Sequence, residues 1–238
     1  MITYLAAPDA FDEAELWIEG DAYRHLFRAR RLARGAELRI VDGAGRARRG
    51  EVLEVDRRRA LVALGAPLQS VEPPVAVHLA VGALRAERAE WLVEKATELG
   101  VASLTFFASA RSPRDYGDGR LKRWRRVAAS ALQQCGGARL PTLEGVLGWS
   151  DLLDRLKGPM ETSARWVLAF DGAPFRDLRD AAAPRLAEVR CVIGPEGGLT
   201  PGELEQLDTL GVHRASLGPR VLRVETAALA AASLALAG

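Results

Sequence analysis

Between residues 37 and 64 polar and apolar positions alternate in three separate stretches. ELRIVD (37–42) runs into the turn Gly43-Ala44-Gly45, EVLEVD (51–56) alternates again, and ALVAL (60–64) follows. Successive side chains of a strand point to opposite faces, so each stretch reads as a strand with one buried face. Short alternating strands punctuated by glycine turns predict a small β-barrel over residues 1–70. The segment VEPP (71–74) is stiff and extended, because proline restricts its own φ and the residue before it. It marks a domain boundary, and a second domain is expected over residues 74–238.

Past that boundary the period changes. VAVHLAV (75–81) is a continuous apolar strand. Residues 88–99 follow a helical period, with Trp91, Leu92, Lys95, Ala96 and Leu99 along one face and Gly100 ending the helix. Residues 101–107, 166–170, 190–193 and 214–217 read as strands. Residues 121–134, 201–210 and 225–236 read as helices, the first of them basic and amphipathic. Strands alternating with helices imply an α/β domain whose parallel sheet is covered on both faces.

Composition changes this picture little. The chain has 238 residues, 48% of them hydrophobic, enough for a substantial core. The formal charge of +2 is nearly neutral, but its distribution is uneven. Residues 1–23 hold six acids and no Lys or Arg, whereas residues 24–59 hold twelve arginines against five acids. Residues 111–126 add seven basic residues against two acids. Such patches attract phosphate. Cys135 and Cys191 make no CxxC pair and read as reduced thiols of a cytoplasmic protein. The longest apolar run, residues 227–237, is broken only by Ser233 and is too short to span a bilayer, so no membrane partner is expected.

Candidate chemistry gathers late in the chain. The strand ending at Ile193 breaks into Gly194-Pro195-Glu196-Gly197-Gly198, and a second strand breaks into Leu217-Gly218-Pro219. Ligands of open α/β sheets collect at the carboxyl ends of strands, and glycines let a ligand approach the backbone. Each loop taken singly also reads as a tight connection to the next helix. Together with RVLRVET (220–226), they place arginines, a carboxylate and a hydroxyl around a helix start. GxGxxG fails at Arg48, and neither GxxxxGK[ST] nor GxSxG is present. His25, His78 and His213 are scattered, and nothing resembles a metal site. RSPR (111–114) and KRWRR (122–126) fit either a solvated helix face or an RNA grip, with arginine forks on phosphates and Trp124 stacking on a base.

These residues together resemble the 16S ribosomal RNA (uracil-N3) methyltransferases of the RsmE type, within the SPOUT class. The resemblance runs nearly the whole chain. Arg24-His25-Leu26, LARGAEL (32–38) and VDGAG (41–45) look like that family's N-terminal barrel. EKATELGV (94–101), Arg111-Ser112, Gln134-Cys135 and Leu140-Pro141 match its middle segments. IGPEGG (193–198) and SLGPRVLRVETA (216–227) are very similar to its two cofactor motifs. The chain departs from the pattern at Glu94, Gly137 and Arg85, where glutamine, arginine and lysine are common.

The resemblance implies an N-terminal PUA-like β-barrel plus a C-terminal SPOUT α/β domain with a deep trefoil knot. It also implies a homodimer and S-adenosylmethionine as cofactor. The cofactor would lie against Phe170, Ile193, Gly194, Glu196, Gly197, Gly198, Leu217, Gly218, Pro219, Val221 and Leu222. The target would be N3 of a specific uridine in the decoding region of 16S rRNA of the small ribosomal subunit; the rival readings are a SPOUT methyltransferase acting on another RNA, and a non-catalytic RNA-binding ribosome assembly protein. Methyl transfer to N3 needs its proton removed, which makes Arg223 a candidate to stabilise the uracil oxygens and Glu225 a candidate base or orienting group. A carboxylate in the first turn of a helix, favoured there by the dipole, is an equally open reading of Glu225. Arg24, Arg28, Arg31, Arg111, Arg114, Arg123 and Arg126 would grip the RNA.

Overall fold

The computed structural model describes residues 1–112, 120–158, 162–183 and 186–237. The chain forms two compact units, Met1–Glu72 with Ala129–Leu140, and Pro73–Ala128 with Pro141–Gly238.

The first unit is built on β1 (Ile2–Leu5), β2 (Glu15–Glu19), β3 (Glu37–Val41), β4 (Ala47–Val55) and β5 (Arg59–Pro67). Short helices α1 (Pro8–Phe11) and α2 (Gly20–Tyr23), and a π-helical turn at Arg24–Ala29, connect β1 through β3. The strands form a curled half-barrel in the order β1-β3-β4-β5-β2, with β1 parallel to β3 and the other pairs antiparallel. The alternation read from sequence is the alternation seen: Leu38, Ile40, Val52, Ala60 and Val62 are fully buried, and the neighbouring Glu37, Arg39, Glu51 and Leu61 are more exposed. The turn at residues 43–45 has a specific cause. Asp42 Oδ1 accepts from the backbone N–H of Ala44 (2.8 Å) and of Arg46 (3.0 Å), and Gly43 and Gly45 supply positive φ. β1 and β2 were not legible, being short and set in an acidic stretch.

In the second unit, six strands lie in the order β11-β9-β10-β6-β7-β8, and every pairing is parallel. These are β6 (Ala76–Gly82), β7 (Ser103–Phe107), β8 (Thr142–Leu147), β9 (Ser163–Pro174), β10 (Glu188–Ile193) and β11 (His213–Ser216). The helices are α3 (Ala86–Glu98), α4 (Arg120–Cys135), α5 (Trp149–Arg155), α6 (Phe175–Ala182), α7 (Pro201–Thr209) and α8 (Val224–Leu236), with the last residues of α4 counted in the first unit. On one face of the sheet, Leu152 and Leu156 from α5 and its end, and Leu207 of α7, pack with Phe107, Val167 and Val192. On the other, α8 covers β6 and β10 and meets α3 and α6. Both faces are therefore covered, which is why β6 reads as a continuous apolar run. β8 was missed because Glu144 and Gly145 interrupt its pattern, and α5 and α6 because they are short.

Two helix faces differ from the sequence reading. In α3 the buried positions are Ala89, Leu92, Val93, Ala96 and Thr97, and Trp91 is 44% exposed. In α4, Trp124 is only 4% exposed and its ring lies 4.6 Å from that of Phe106, so it belongs to the core and is closed to a stacking base. The period of Trp124, Ala128, Ala131 and Leu132 puts it inside despite its arginine neighbours.

Among the described residues no helix is long and apolar enough to cross a membrane, and no cluster of His, Cys, Asp or Glu has the makings of a metal site. Both cysteines are free. Cys191, in the centre of the sheet, is fully buried, and burial pushes its thiol up to about 12. Folded protein treated with iodoacetamide at neutral pH should therefore take a label on exposed Cys135 alone, and Cys191 should label only after unfolding, as read by intact mass.

Candidate functional site

The chain runs from β9 to β10 on one side and then crosses back to β11 on the other, so the order of the strands reverses at β9. Ligand crevices of open parallel sheets form at such switch points, beyond the carboxyl ends of the strands. Here a cavity of about 580 Å³ opens at the ends of β9, β10 and β11, a size typical of small-molecule sites.

Three backbone excursions wall the cavity. The first follows β10. Gly82, the last residue of β6, lies so close to it that a Cβ there would sit 2.3 Å from Pro195 N and 2.6 Å from Pro195 Cα. Only glycine permits that approach. The second lies within β9. Arg214 of β11 pairs with Val167, but the next residue, Ala215, pairs with Ala173, so residues 168–172 bulge out of the ladder. Gly172 anchors the return, since a Cβ there would lie 2.6 Å from Ala215 N. The third follows β11, where Gly218 takes φ +108 and its N–H is engaged by Ser216 Oγ at 3.2 Å. Gly198, at φ +68, likewise gives its N–H to Pro195 O at 2.8 Å. These two amides close the turns.

Of the residues expected at a cofactor, Phe170, Ile193, Gly194, Glu196, Gly198, Leu217, Gly218, Val221 and Leu222 line the cavity. Gly197 and Pro219 do not; Pro219 faces out, and Gly197 lies under Arg111, whose Cβ would be 3.0 Å from a Cβ at 197. Phe170 and Val221 are 67% and 84% exposed, forming an apolar mouth. Arg223 lines the cavity as the N-cap of α8, while Glu225, in the first turn of α8, is 7% exposed and sits behind the lining.

Charge-assisted contacts pin these walls. Arg214 Nη1 reaches Asp171 Oδ2 of the bulge and Nη2 reaches Asp208 Oδ2, both at 2.6 Å, and these carboxylates raise the guanidinium further above its ordinary value. Thr200 and Glu203 form a capping box at the start of α7, with Glu203 Oε2 accepting from Thr200 N at 2.7 Å. The other oxygen of Glu203 accepts from Ala110 N at 2.9 Å, and Arg111 Nη1 donates to Gly197 O at 3.2 Å. Arg111, expected on RNA, is thus fastened to the glycine loop. Sequence reasoning missed Arg88, which pairs with Glu196 through Nη1 and lies 3.8 Å from Glu225 Oε1 through Nε. It missed Asp171 as well, and gave Arg220, which also lines the cavity, no role of its own. Asp171-Gly172 is a turn signal that could have flagged the bulge; no local signal marks Arg88.

The other arginines are placed variously. Arg123 pairs with Glu90 at 2.5 Å, and Arg126 is exposed on α4. Arg114 lies outside the described residues. In the first unit, Arg24 and Arg28 line an open groove of about 1020 Å³ with Arg57, Arg58 and Arg59, opposed by Glu19 and Asp56. Arg28 Nη2 bridges it to Arg57 O at 2.9 Å, and Arg59 lies 4.0 Å above the half-exposed ring of Trp17. Arg31 is exposed at φ 55 and does not line the groove.

A parallel α/β unit with a backbone-walled crevice at its switch point, accompanied by a small half-barrel with a basic groove, defines the class of RNA methyltransferases. The sequence matches the RNA methyltransferase domain over residues 71–236 and the RNA methyltransferase PUA domain over residues 18–64. It is 35% identical to the ribosomal RNA small subunit methyltransferase E of Mycobacterium tuberculosis, over 90% of this chain and 83% of that protein. It is 28% identical to the Bacillus subtilis protein of the same name, over 91% and 87%. The crystal structure of a ribosomal RNA small subunit methyltransferase E from Neisseria gonorrhoeae, bound to S-adenosylmethionine, superposes with a TM-score of 0.84 at 25% identity, covering 98% of this chain and 95% of that one. The chain belongs to the ribosomal RNA small subunit methyltransferase E family.

The Gly82→Ala substitution should push the 194–198 loop off the end of β6, at a cost of about 1–3 kcal/mol. Thermal unfolding should show a lower Tm, and hydrogen exchange should rise in that loop more than in β3–β5.

Proposed function

We propose that this chain methylates N3 of a uridine in the 16S rRNA of the small ribosomal subunit, using S-adenosylmethionine. The observation that carries this reading is the glycine-built cavity at the ends of β9, β10 and β11, in a chain whose Neisseria relative was crystallised with that cofactor. The fit is good on the residues present: backbone at Gly194, Gly198 and Gly218, and apolar sides from Ile193, Leu217 and Leu222. A side chain added at Gly218 would project into open space, which is where a ligand would lie.

When bound, S-adenosylmethionine supplies an electrophilic methyl group on a sulfonium. The chain's task is then to hold the acceptor in line and to favour loss of its N3 proton. Arg223, exposed at the cavity wall, meets the uracil oxygens, which carry the negative charge once that proton has left. Solvent at the open mouth accepts the proton. Glu225 is 7% exposed behind the wall, and that place favours an orienting role over that of base.

The groove of Arg24, Arg28, Arg57, Arg58 and Arg59 grips surrounding phosphates. The target base leaves its stack to reach the crevice. We further read the second unit as a trefoil knot threaded by the C-terminal segment. We take the working form to be a cytoplasmic homodimer, in which half-buried Leu229, Leu234 and Leu236 of α8 supply apolar contact surface.

Mass spectrometry of 16S rRNA from a deletion strain should find 3-methyluridine lost, and restored by the wild-type gene; unchanged 3-methyluridine would sink the reading. Arg223→Ala should lower kcat by roughly a hundredfold with little change in cofactor affinity. Replacing Arg57 and Arg58 with alanine should flatten the plot of log binding constant against log salt by about 1–2, measured with small-subunit RNA.

A further inference from the structure

Two segments meet across the cavity. The 194–198 loop, after β10, forms the cradle, and the start of α8 carries Arg223, the group that faces the acceptor. They derive from different strand ends, and their separation sets how donor and acceptor align.

Arg88 stands between them. It is the third residue of α3 and half-buried, and its guanidinium uses two edges: Nη1 pairs with Glu196 of the loop, and Nε faces Glu225 Oε1 at 3.8 Å. Glu225 is two residues beyond Arg223 and is 7% exposed. Its second oxygen, Oε2, is shut off from solvent and has no hydrogen-bond partner among the described residues. A carboxylate held in that position is costly unless a cation stands beside it, and Arg88 is a cation that faces it. A planar fork addresses two carboxylates at once, whereas the single ammonium of lysine, on a flexible stem, does not reproduce that geometry.

We propose that Arg88 is a positioning residue for methyl transfer: by bridging Glu196 and Glu225 it fixes the cofactor loop against the first turn of α8, and so fixes Arg223 relative to the methyl donor. This rests on the methyltransferase reading above. Arg88 touches neither reacting group in this scheme. Its loss should therefore fall mainly on turnover, because a small misplacement of aligned reactants is expensive in rate.

The test compares Arg88→Met, Arg88→Lys, Glu225→Gln and the Arg88→Met/Glu225→Gln pair, with kcat and KM measured on small-subunit RNA at saturating cofactor. Arg88→Met should lower kcat at least tenfold while KM for RNA changes less than threefold, and Arg88→Lys should fall between it and wild type. In the double variant the losses should not multiply, because neutralising Glu225 removes the buried charge that Arg88 compensates. A kcat for Arg88→Met within twofold of wild type would overturn the proposal, as would losses that multiply in the pair. Should Arg88→Met fail to fold, Arg88→Lys decides: it must lose turnover without a matching loss of thermal stability. Wild-type turnover on the same RNA reports on the parent reading alone. If it is absent, the coupling of Arg88 to Glu225 is read from S-adenosylmethionine affinity by calorimetry, where additive losses overturn the proposal.

Discussion

The close passage of the Gly194–Pro195 backbone over the end of β6 governs the rest of the second unit. At Gly82 the two main chains lie nearer than any side chain would permit. β6 and β10 are adjacent and parallel, and at their carboxyl ends Val81, Gly82, Val192 and Ile193 are all buried, so neither strand has room to shift there. The loop after β10 is thereby pressed into a fixed shape, and the crevice beside it inherits that shape. Gly172 does the same work for the bulge of β9 against β11. The cavity is thus walled largely by backbone whose position is set by sheet packing, a precise way to hold a ligand.

Around this backbone frame, ion pairs and capping contacts join segments far apart in sequence. Glu203 ties the start of α7 to Ala110, Arg214 ties the bulge to α7, Arg111 ties its own loop to Gly197, and Arg88 links loop to helix. Most of these side chains are partly exposed, where a single ion pair contributes little to global stability. Their effect is local. Each removes a freedom that the glycine-rich loops would otherwise keep, and such loops lose more conformational entropy on ordering than any others. The first unit has braces of its own, Arg46 on Asp12 and Arg48 on the carbonyls of Phe11 and Leu64. Its half-barrel is held by alternating apolar side chains, and its basic groove arises where the turn between β4 and β5 brings Arg57, Arg58 and Arg59 toward Arg24 and Arg28.

Local pattern carried much of this structure. The period-two stretches became β3, β4 and β5, and the continuous run became β6, because a buried face leaves its mark on every second residue, or on all of them when both faces are covered. Glycine loops after β10 and β11 were legible because Gly198 and Gly218 take a positive φ that other residues rarely adopt. Legibility failed where the signal was short or mixed. β2 is five residues among acids, and β8 carries Glu144 and Gly145. Trp124 looked like a base-stacking ring among arginines, yet the period of its own helix places it against Phe106.

What the sequence determined by itself is therefore the class of each unit and the two loops at which chemistry gathers, since these depend on neighbours along the chain. Which groups stand together around the cavity was decided only by the tertiary structure. Arg88 and Glu196 are 108 residues apart, and no periodicity links them. They meet because burying the whole parallel sheet sets β10 beside β6 and lays α8 against α3, an outcome of the packing of all six strands at once.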